Sequence, residues 1–418
     1  MNHSPASLLR SLAPLYLVVL SSCSSQPDLR EALPHVSGVH TVEFQQATGA
    51  LLSGAYLPGN KITILSNGEQ IFPAMLKAIR SARHTINFET YVFEKGTIPG
   101  QFAQALTEKA RAGVKVKVIL DDHGASKSEV YHTMMKEAGV ELEIYHPVIW
   151  PDLSRSNHRT HRKLLIVDGR TGFIGGVGIA DEWKGKGNAP DQWRDLHYRV
   201  EGPVVAQLQA AFNNNWLKTH HEVLQGPQYF PALYPAGPAS VGTFYNISRT
   251  GSTPMEMMCH MTMASAEKSL LIETPYFLPD KRMSDALCAA AKRGVKVKII
   301  MPGKWIDQKS VRRASKKCWK PLLTAGVQLY EFQPTMIHTK LMVADGLFTS
   351  VGSMNLDPRS QKINDEANIM VRDAAFAQEQ TRVFYADLKQ CRHVQLNDEG
   401  DIIDAPLQVA QAPLESQL

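Results

Sequence analysis

The sequence is short of the usual marks of a metal or redox protein. Its five cysteines, Cys23, Cys259, Cys288, Cys318 and Cys391, form no C-x-x-C pair, so neither a zinc site nor a thioredoxin-like couple is legible in their spacing. No uninterrupted apolar run reaches the about 18 residues that read as a membrane-spanning helix; the longest candidate, residues 12–20, contains Pro14. Neither sign of charge dominates: 45 basic against 40 acidic residues leave +5 at neutral pH. That balance favours anionic partners and argues against a chain that coats nucleic acid. At 44% hydrophobic and 20% charged over 418 residues, collagenous, coiled-coil and disordered proteins are excluded. The length predicts two or three domains, or two halves sharing one interface.

What is present begins with an address. Arg10, the apolar residues 12–20 and then Ser21-Ser22-Cys23 supply the charge, apolar core and small residues of a secretory signal, so the fold is expected to start later. Leu20-Ser21-Ser22-Cys23 resembles the bacterial lipoprotein box. That resemblance implies a diacylated Cys23 and, with Ser24 behind it, a protein anchored in the envelope of a two-membrane bacterium, facing the periplasm and sorted to the outer membrane. The other four thiols would then sit in an oxidising compartment, where pairing and burial as free thiols both stand open.

The chain also repeats itself. Arg111-Ala112-Gly113-Val114-Lys115-Val116-Lys117-Val118-Ile119-Leu120 returns as Lys292-Arg293-Gly294-Val295-Lys296-Val297-Lys298-Ile299-Ile300-Met301. Phe88-Glu89-Thr90 returns as Ile272-Glu273-Thr274. Two copies read as a duplicated domain, since a solenoid needs three or more. Each copy gives a strand (85–93; 269–277), a helix (101–112; 283–293) and a second strand (114–120; 295–301). In the helices Phe102, Leu106 and Ala110 share one face, as do Ala286, Ala289 and Ala290. This alternation predicts an α/β fold with a mixed, mostly parallel sheet flanked by helices. Four prolines within 226–238 mark a linker. The expected layout is a signal over 1–22, an anchor and tether over 23–60, a first domain over 61–222, a linker over 223–240, a second domain over 241–395 and a loose polar tail over 396–418.

The chemistry lies in a motif shared by both copies. His161-Arg162-Lys163-Leu164-Leu165-Ile166-Val167-Asp168 and His338-Thr339-Lys340-Leu341-Met342-Val343-Ala344-Asp345 both read H-x-K-x4-D on an apolar strand. Strand parity puts His161 with Lys163, and His338 with Lys340, on one face. Asp168 and Asp345 fall on the other, as supporting groups that fix a loop or pair with a cation. A Lys two residues from a His inside an apolar strand is costly unless it meets an anion, which favours a functional site over a structural one.

The duplicated motif resembles that of the phospholipase D superfamily, and the flanks resemble its bacterial cardiolipin synthase branch. In the first half the likeness is carried by Trp193-Arg194-Asp195-Leu196-His197 with Glu201-Gly202-Pro203. In the second it is carried by Gly352-Ser353-Met354-Asn355-Leu356-Asp357-Pro358-Arg359-Ser360 and Asn364-Asp365-Glu366-Ala367-Asn368. It covers about residues 61 to 394. The resemblance implies two homologous lobes about a pseudo-twofold axis with one active site between them. It also implies a monomeric phosphatidyltransferase that converts phosphatidylglycerol to cardiolipin and glycerol without metal or cofactor. One imidazole attacks phosphorus and the other carries the proton; the family suggests His161 as nucleophile and His338 as acid and base. Lys163, Lys340, Asn355 and Ser353 are the expected phosphate-binding groups. Asp195 and Glu366 are the candidates for orienting the imidazoles.

Where the family pattern places polar side chains after the first motif, this chain reads Gly175-Gly176-Val177-Gly178. The glycines either offer backbone N–H groups or room, or simply permit a tight turn. Residues 304–320, with Arg312, Arg313, Lys316 and Lys317 beside Trp305 and Trp319, read as a solvated helix face or as a seat on an anionic membrane surface. The alternatives are a phospholipase D hydrolase yielding phosphatidic acid, a periplasmic nuclease, and a lipoprotein that only binds anionic lipid. The modest charge weighs against nucleic acid as a partner.

Overall fold

The computed structural model describes Leu33, His35 and residues 37–52, 54–146, 157–246 and 253–404. The signal, Cys23 and the end of the tail lie outside the described residues. The first half contributes strands β1 (Leu57–Ser66), β2 (Thr85–Thr90), β3 (Lys115–Asp121), β4 (Glu141–Tyr145), β5 (Leu164–Val167), β6 (Thr171–Gly175) and β7 (Leu196–Glu201). The second contributes β8 (Ala239–Tyr245), β9 (Ser269–Glu273), β10 (Lys296–Pro302), β11 (Gln328–Phe332), β12 (Leu341–Ala344), β13 (Phe348–Gly352), β14 (Ala367–Arg372), β15 (Cys391–Leu396) and β16 (Ile402–Asp404). They form one 16-stranded sheet in the order β16-β15-β11-β10-β9-β12-β13-β14-β8-β1-β7-β6-β5-β2-β3-β4.

The β-α-β unit is present twice. β2 and β3 pair in parallel around the helix Thr97–Arg111, and β9 and β10 around Lys281–Lys292. Gly113 (φ 85°) and Gly294 (φ 95°) end these helices in the left-handed region, where a side chain would be strained; this is why the repeat carries a glycine there. The sheet is mixed, as expected, but the balance differs. Antiparallel pairing predominates, because β5–β6–β7 and β12–β13–β14 are antiparallel runs: short turns join β5 to β6 and β12 to β13, as only antiparallel neighbours allow, while longer segments lead from β6 to β7 and from β13 to β14.

Three apolar cores follow. Helices Asn67–Ser81 and Thr97–Arg111 cover the outer face of the first half through Ile71, Phe72, Phe102 and Leu106. Helices Pro254–Ser265 and Lys281–Lys292 cover that of the second through Met258, Met263, Met283 and Leu287. The third core joins the halves, with Phe212 and Trp216 of helix Val205–His220 in the same cluster as Phe376 and Phe384 of helix Ala374–Leu388.

Two expected boundaries move. Part of the anticipated tether is an ordered helix, Val42–Leu51, which buries Phe44 edge-on against Phe348 of the second half at 5.3 Å. Part of the anticipated loose tail pairs as β16 on β15. Residues 226–238 hold no helix or strand. Cys259, Cys288, Cys318 and Cys391 are free thiols. Among the described residues no helix is long and apolar enough to cross a membrane.

Candidate active site

The two H-x-K segments sit just ahead of β5 and β12, not within them. Each leaves the sheet to cross to the other half: Thr160 bridges Asp365, and Ile337 bridges Arg194. The His161 N–H donates to the Asp365 carbonyl at 2.8 Å, and the His338 N–H to the Arg194 carbonyl at 2.7 Å. The pairing shortens the strands the apolar pattern suggested. It also sets each histidine beside the carboxylate of the opposite half.

His161 Nδ1 lies 2.9 Å from both Glu366 oxygens. His338 Nδ1 lies 2.9 Å from Asp195 Oδ2. With Nδ1 committed to a carboxylate, Nε2 is the nitrogen left for chemistry. All four basic side chains are buried: His161 7%, Lys163 3%, His338 6% and Lys340 4% exposed. Each lysine folds back to its own histidine, Nζ donating to the His161 and His338 carbonyls at 2.7 Å. Lys340 Nζ also lies 2.9 Å from His338 Nδ1 and 3.2 Å from its Nε2.

Burial governs the protonation of this cluster. It pushes His161 down to about 4 against the opposing pull of Glu366, with Lys163 adding to the depression. It holds His338 well below the ordinary imidazole range, helped by Lys340, Lys163 and His161. Burial likewise takes Lys163 to about 7 and Lys340 to about 8. Four basic groups drawn from both halves are therefore held towards their neutral forms, chiefly by burial and, for the two histidines and Lys163, by neighbouring lysines as well, a site that an anion would recharge. The carboxylates differ. Burial raises Asp195 to about 6 despite Lys340. Burial also works to raise Glu366, but His161, Lys163 and Ser353 outweigh it and hold the carboxyl below its usual value.

Asp168 and Asp345 stand away from this cluster, in turns with φ 53° and 51°. The Asp168 carboxylate accepts from the N–H groups of Arg83, His84 and Thr85 at 2.7–2.9 Å. Asp345 does the same for Glu267, Lys268 and Ser269 at 2.8–2.9 Å. Each thereby pins the loop that leads into β2 or β9. Ser353, expected among the phosphate-binding groups, instead directs its hydroxyl to Glu366 Oε2 at 2.5 Å. Asn355 is 4% exposed, and its Oδ1 has no hydrogen-bond partner.

Spacing gave no sign of several neighbours. Tyr91 stands edge-on to His161 at 5.3 Å, with Lys163 Nζ 5.5 Å from its ring centre. Trp183 and Trp193 flank His338 at 5.2 and 5.5 Å. Two ion pairs also cross between the halves: Arg194 with Asp387 at 2.8 Å, and Lys218 with Asp365 at 2.8 Å. The basic segment is half core, because Trp319 is fully buried and Arg312 pairs with Glu331 at 2.5 Å. Trp305 is 38% exposed, with Lys304 Nζ 4.8 Å from its ring. Among the described residues Glu141, His220 and Glu222 converge with metal-like spacing. The Lys117 ammonium already lies between the two carboxylates, at 2.6 and 2.9 Å, so the protein's own cation takes the place between them.

With this geometry in view, residues 75–216 and 260–388 each match the family described as "Cardiolipin synthase, PLD-like domain". The chain belongs to that family of phospholipase D-type phosphatidyltransferases. Its members include the "Probable cardiolipin synthase YwiE" of Bacillus subtilis, 34% identical over 82% of this chain and 70% of that protein. The "Cardiolipin synthase" of Geobacillus kaustophilus is 33% identical over 86% of this chain and 72% of its own length. In fold the chain is similar to the phosphatidylserine synthase of Haemophilus influenzae, with a TM-score of 0.62 and 13% identity, covering 84% of this chain and 92% of that one. The family supplies the double-lobed fold, and the two family matches divide the chain where the sequence repeat does.

Proposed function

We propose that this chain transfers a phosphatidyl group from one phosphatidylglycerol to the glycerol headgroup of another, giving cardiolipin and free glycerol. His161 Nε2 attacks phosphorus, the P–O bond to the departing glycerol breaks, and His338 gives that oxygen its proton. The incoming hydroxyl then yields its proton to His338, its oxygen attacks phosphorus, and the P–N bond breaks to return His161. Lys163, Lys340 and Asn355 hold the non-bridging oxygens through fixed donors in a dry site. The observation that carries this reading is the pair of imidazoles, each tied through Nδ1 to a carboxylate of the opposite half.

One chain supplies both halves of the site, which supports a monomeric enzyme. The sequence around Cys23 supports a lipid-anchored protein on the periplasmic side of the outer membrane. The exposed basic residues Lys309, Arg313 and Lys317 support a second contact with anionic headgroups, since one acyl anchor by itself binds weakly.

The test is incubation of the purified protein with phosphatidylglycerol vesicles at neutral pH without added metal, followed by mass spectrometry of the lipids, with His338→Ala as control. Cardiolipin and glycerol, absent from the control, are the expected result. Phosphatidic acid as sole product would make water the acceptor. Unchanged lipid together with salt-dependent DNA cleavage would replace the reading with a nuclease.

A further inference from the structure

The two halves build the same carboxylate–imidazole pair with different neighbours. In the second half Ser353 follows β13, its N–H bonds to the Ala367 carbonyl at 3.0 Å, and its hydroxyl reaches Glu366. Gly176 holds the matching place after β6, with its N–H on the Leu196 carbonyl at 3.2 Å. No hydroxyl fits there, because a Cβ on Gly176 would lie 2.4 Å from Asp195 Oδ1. Gly178 matches Asn355, and a Cβ there would lie 2.8 Å from Val92 Cβ and 3.0 Å from two ring carbons of Trp183.

Trp183 occupies what these glycines leave open. It is 4% exposed and closes a short turn, Asp181–Trp183. The Asp181 carboxylate anchors that turn on the Thr97 and Ile98 N–H groups at 3.1 and 2.8 Å. From there the indole Nε1–H donates to Asp195 Oδ2 at 2.9 Å, the oxygen that also faces His338 Nδ1 at 2.9 Å. The same ring stands edge-on to His338.

We propose that Trp183 is the positioning residue of the His338 side: its indole N–H does for Asp195 what the Ser353 hydroxyl does for Glu366, and its ring fills the place of a side chain at position 178. A serine hydroxyl both donates and accepts, whereas an indole N–H only donates, so Asp195 is held as an acceptor facing His338. The two imidazoles of a duplicated fold are thereby made unequal, one braced by a hydroxyl and the other by an indole. The inference rests on His338 being a proton carrier in phosphatidyl transfer.

Trp183→Phe keeps the ring and removes the donor. With phosphatidylglycerol the expected result is a 10- to 100-fold fall in kcat, KM within about twofold, and melting close to wild type. Because the Trp183 bond opposes the burial that raises Asp195, the acid limb of kcat/KM should also move to higher pH. Lys340, His338, His197, Lys163, Arg194, Glu273 and Tyr198 also act on or are acted on by Asp195, and all are unchanged in this variant. An unchanged kcat and acid limb in a folded Trp183→Phe protein would overturn the proposal.

A second measurement needs no activity and no stable variant. In wild-type protein labelled with ¹⁵N-tryptophan, the Trp183 indole N–H resonance should shift downfield and titrate between about pH 7.5 and 5 as Asp195 protonates. An indole N–H without the downfield shift of a bond to a carboxylate would overturn the proposal even in an active enzyme. Wild-type protein that makes no cardiolipin while the indole titrates would instead count against the proposed function.

Discussion

Glu366, from the second half of the chain, holds Nδ1 of His161, from the first, at 2.9 Å from both of its oxygens. Asp195 of the first half does the same for His338 of the second. Neither half supplies its own motif histidine with a carboxylate, so the site exists only where the halves meet. The crossing ion pairs Arg194–Asp387 and Lys218–Asp365 place positive charge on the first half and negative on the second at that junction.

This crossing predicts how the carboxylates fail. Glu366→Gln and Asp195→Asn keep shape and lose the charge that orients and stabilises an imidazolium. Each should lower kcat by roughly 10²- to 10⁴-fold and leave KM within about threefold. Steady-state assay on phosphatidylglycerol separates the two parameters; a rise in KM with kcat intact would move these groups to substrate binding.

Asp345 should behave differently. Its carboxylate serves three backbone N–H groups from a left-handed turn, so Asp345→Ala should cost about 2–4 kcal/mol of stability. Asp345→Asn should cost less. Turnover per folded molecule should stay within about threefold at a temperature where the variant is folded. A hundredfold loss there would place Asp345 in the chemistry.

His197 offers a pH test. It is fully buried, neither ring nitrogen has a partner, and burial pushes it down to about 3. The folded state therefore holds the neutral ring, while the unfolded chain protonates near the ordinary 6.5. The stability tied to His197 is fully present above pH 6.5 and is lost as pH falls towards 3. Relative to His197→Asn, which places in the first half the residue found at position 368, wild type should lose roughly 2–3 kcal/mol between pH 7.5 and 4.5. Denaturant unfolding at the two pH values reads this; an unchanged difference would mean that His197 titrates normally.

The surface helix Lys309–Lys316 gives a fourth test. Lys309, Arg313 and Lys317 recur every four residues and are exposed, while Arg312 turns inward to Glu331. Replacing the three by Glu should weaken binding to anionic vesicles by about 100-fold or more at low salt, at about 1 kcal/mol per basic residue. Activity on detergent-dispersed lipid should be spared. Equal vesicle binding by the variant would reduce this stretch to a solvated face.

The sequence by itself determined the duplication, the β-α-β units and the two H-x-K-x4-D motifs, because these are local periodicities and spacings that any copy of the fold must keep. Strand parity set Asp168 and Asp345 apart from the histidines, and they do stand apart, but because they lie in turns past the ends of β5 and β12. The same reasoning overreached where it extended β5 and β12 through His161 and His338, since their partners there come from the other half and leave no mark on local alternation. It also assigned Ser353 to the substrate, whereas Glu366 lies within reach of that hydroxyl only once the chain is folded. Which carboxylate serves which histidine, why Gly176 and Gly178 have no side chains, and what Trp183 touches were decided by tertiary structure alone. Contacts across a pseudo-twofold interface join residues about 140 to 200 positions apart, and no pattern along the chain encodes which of them meet.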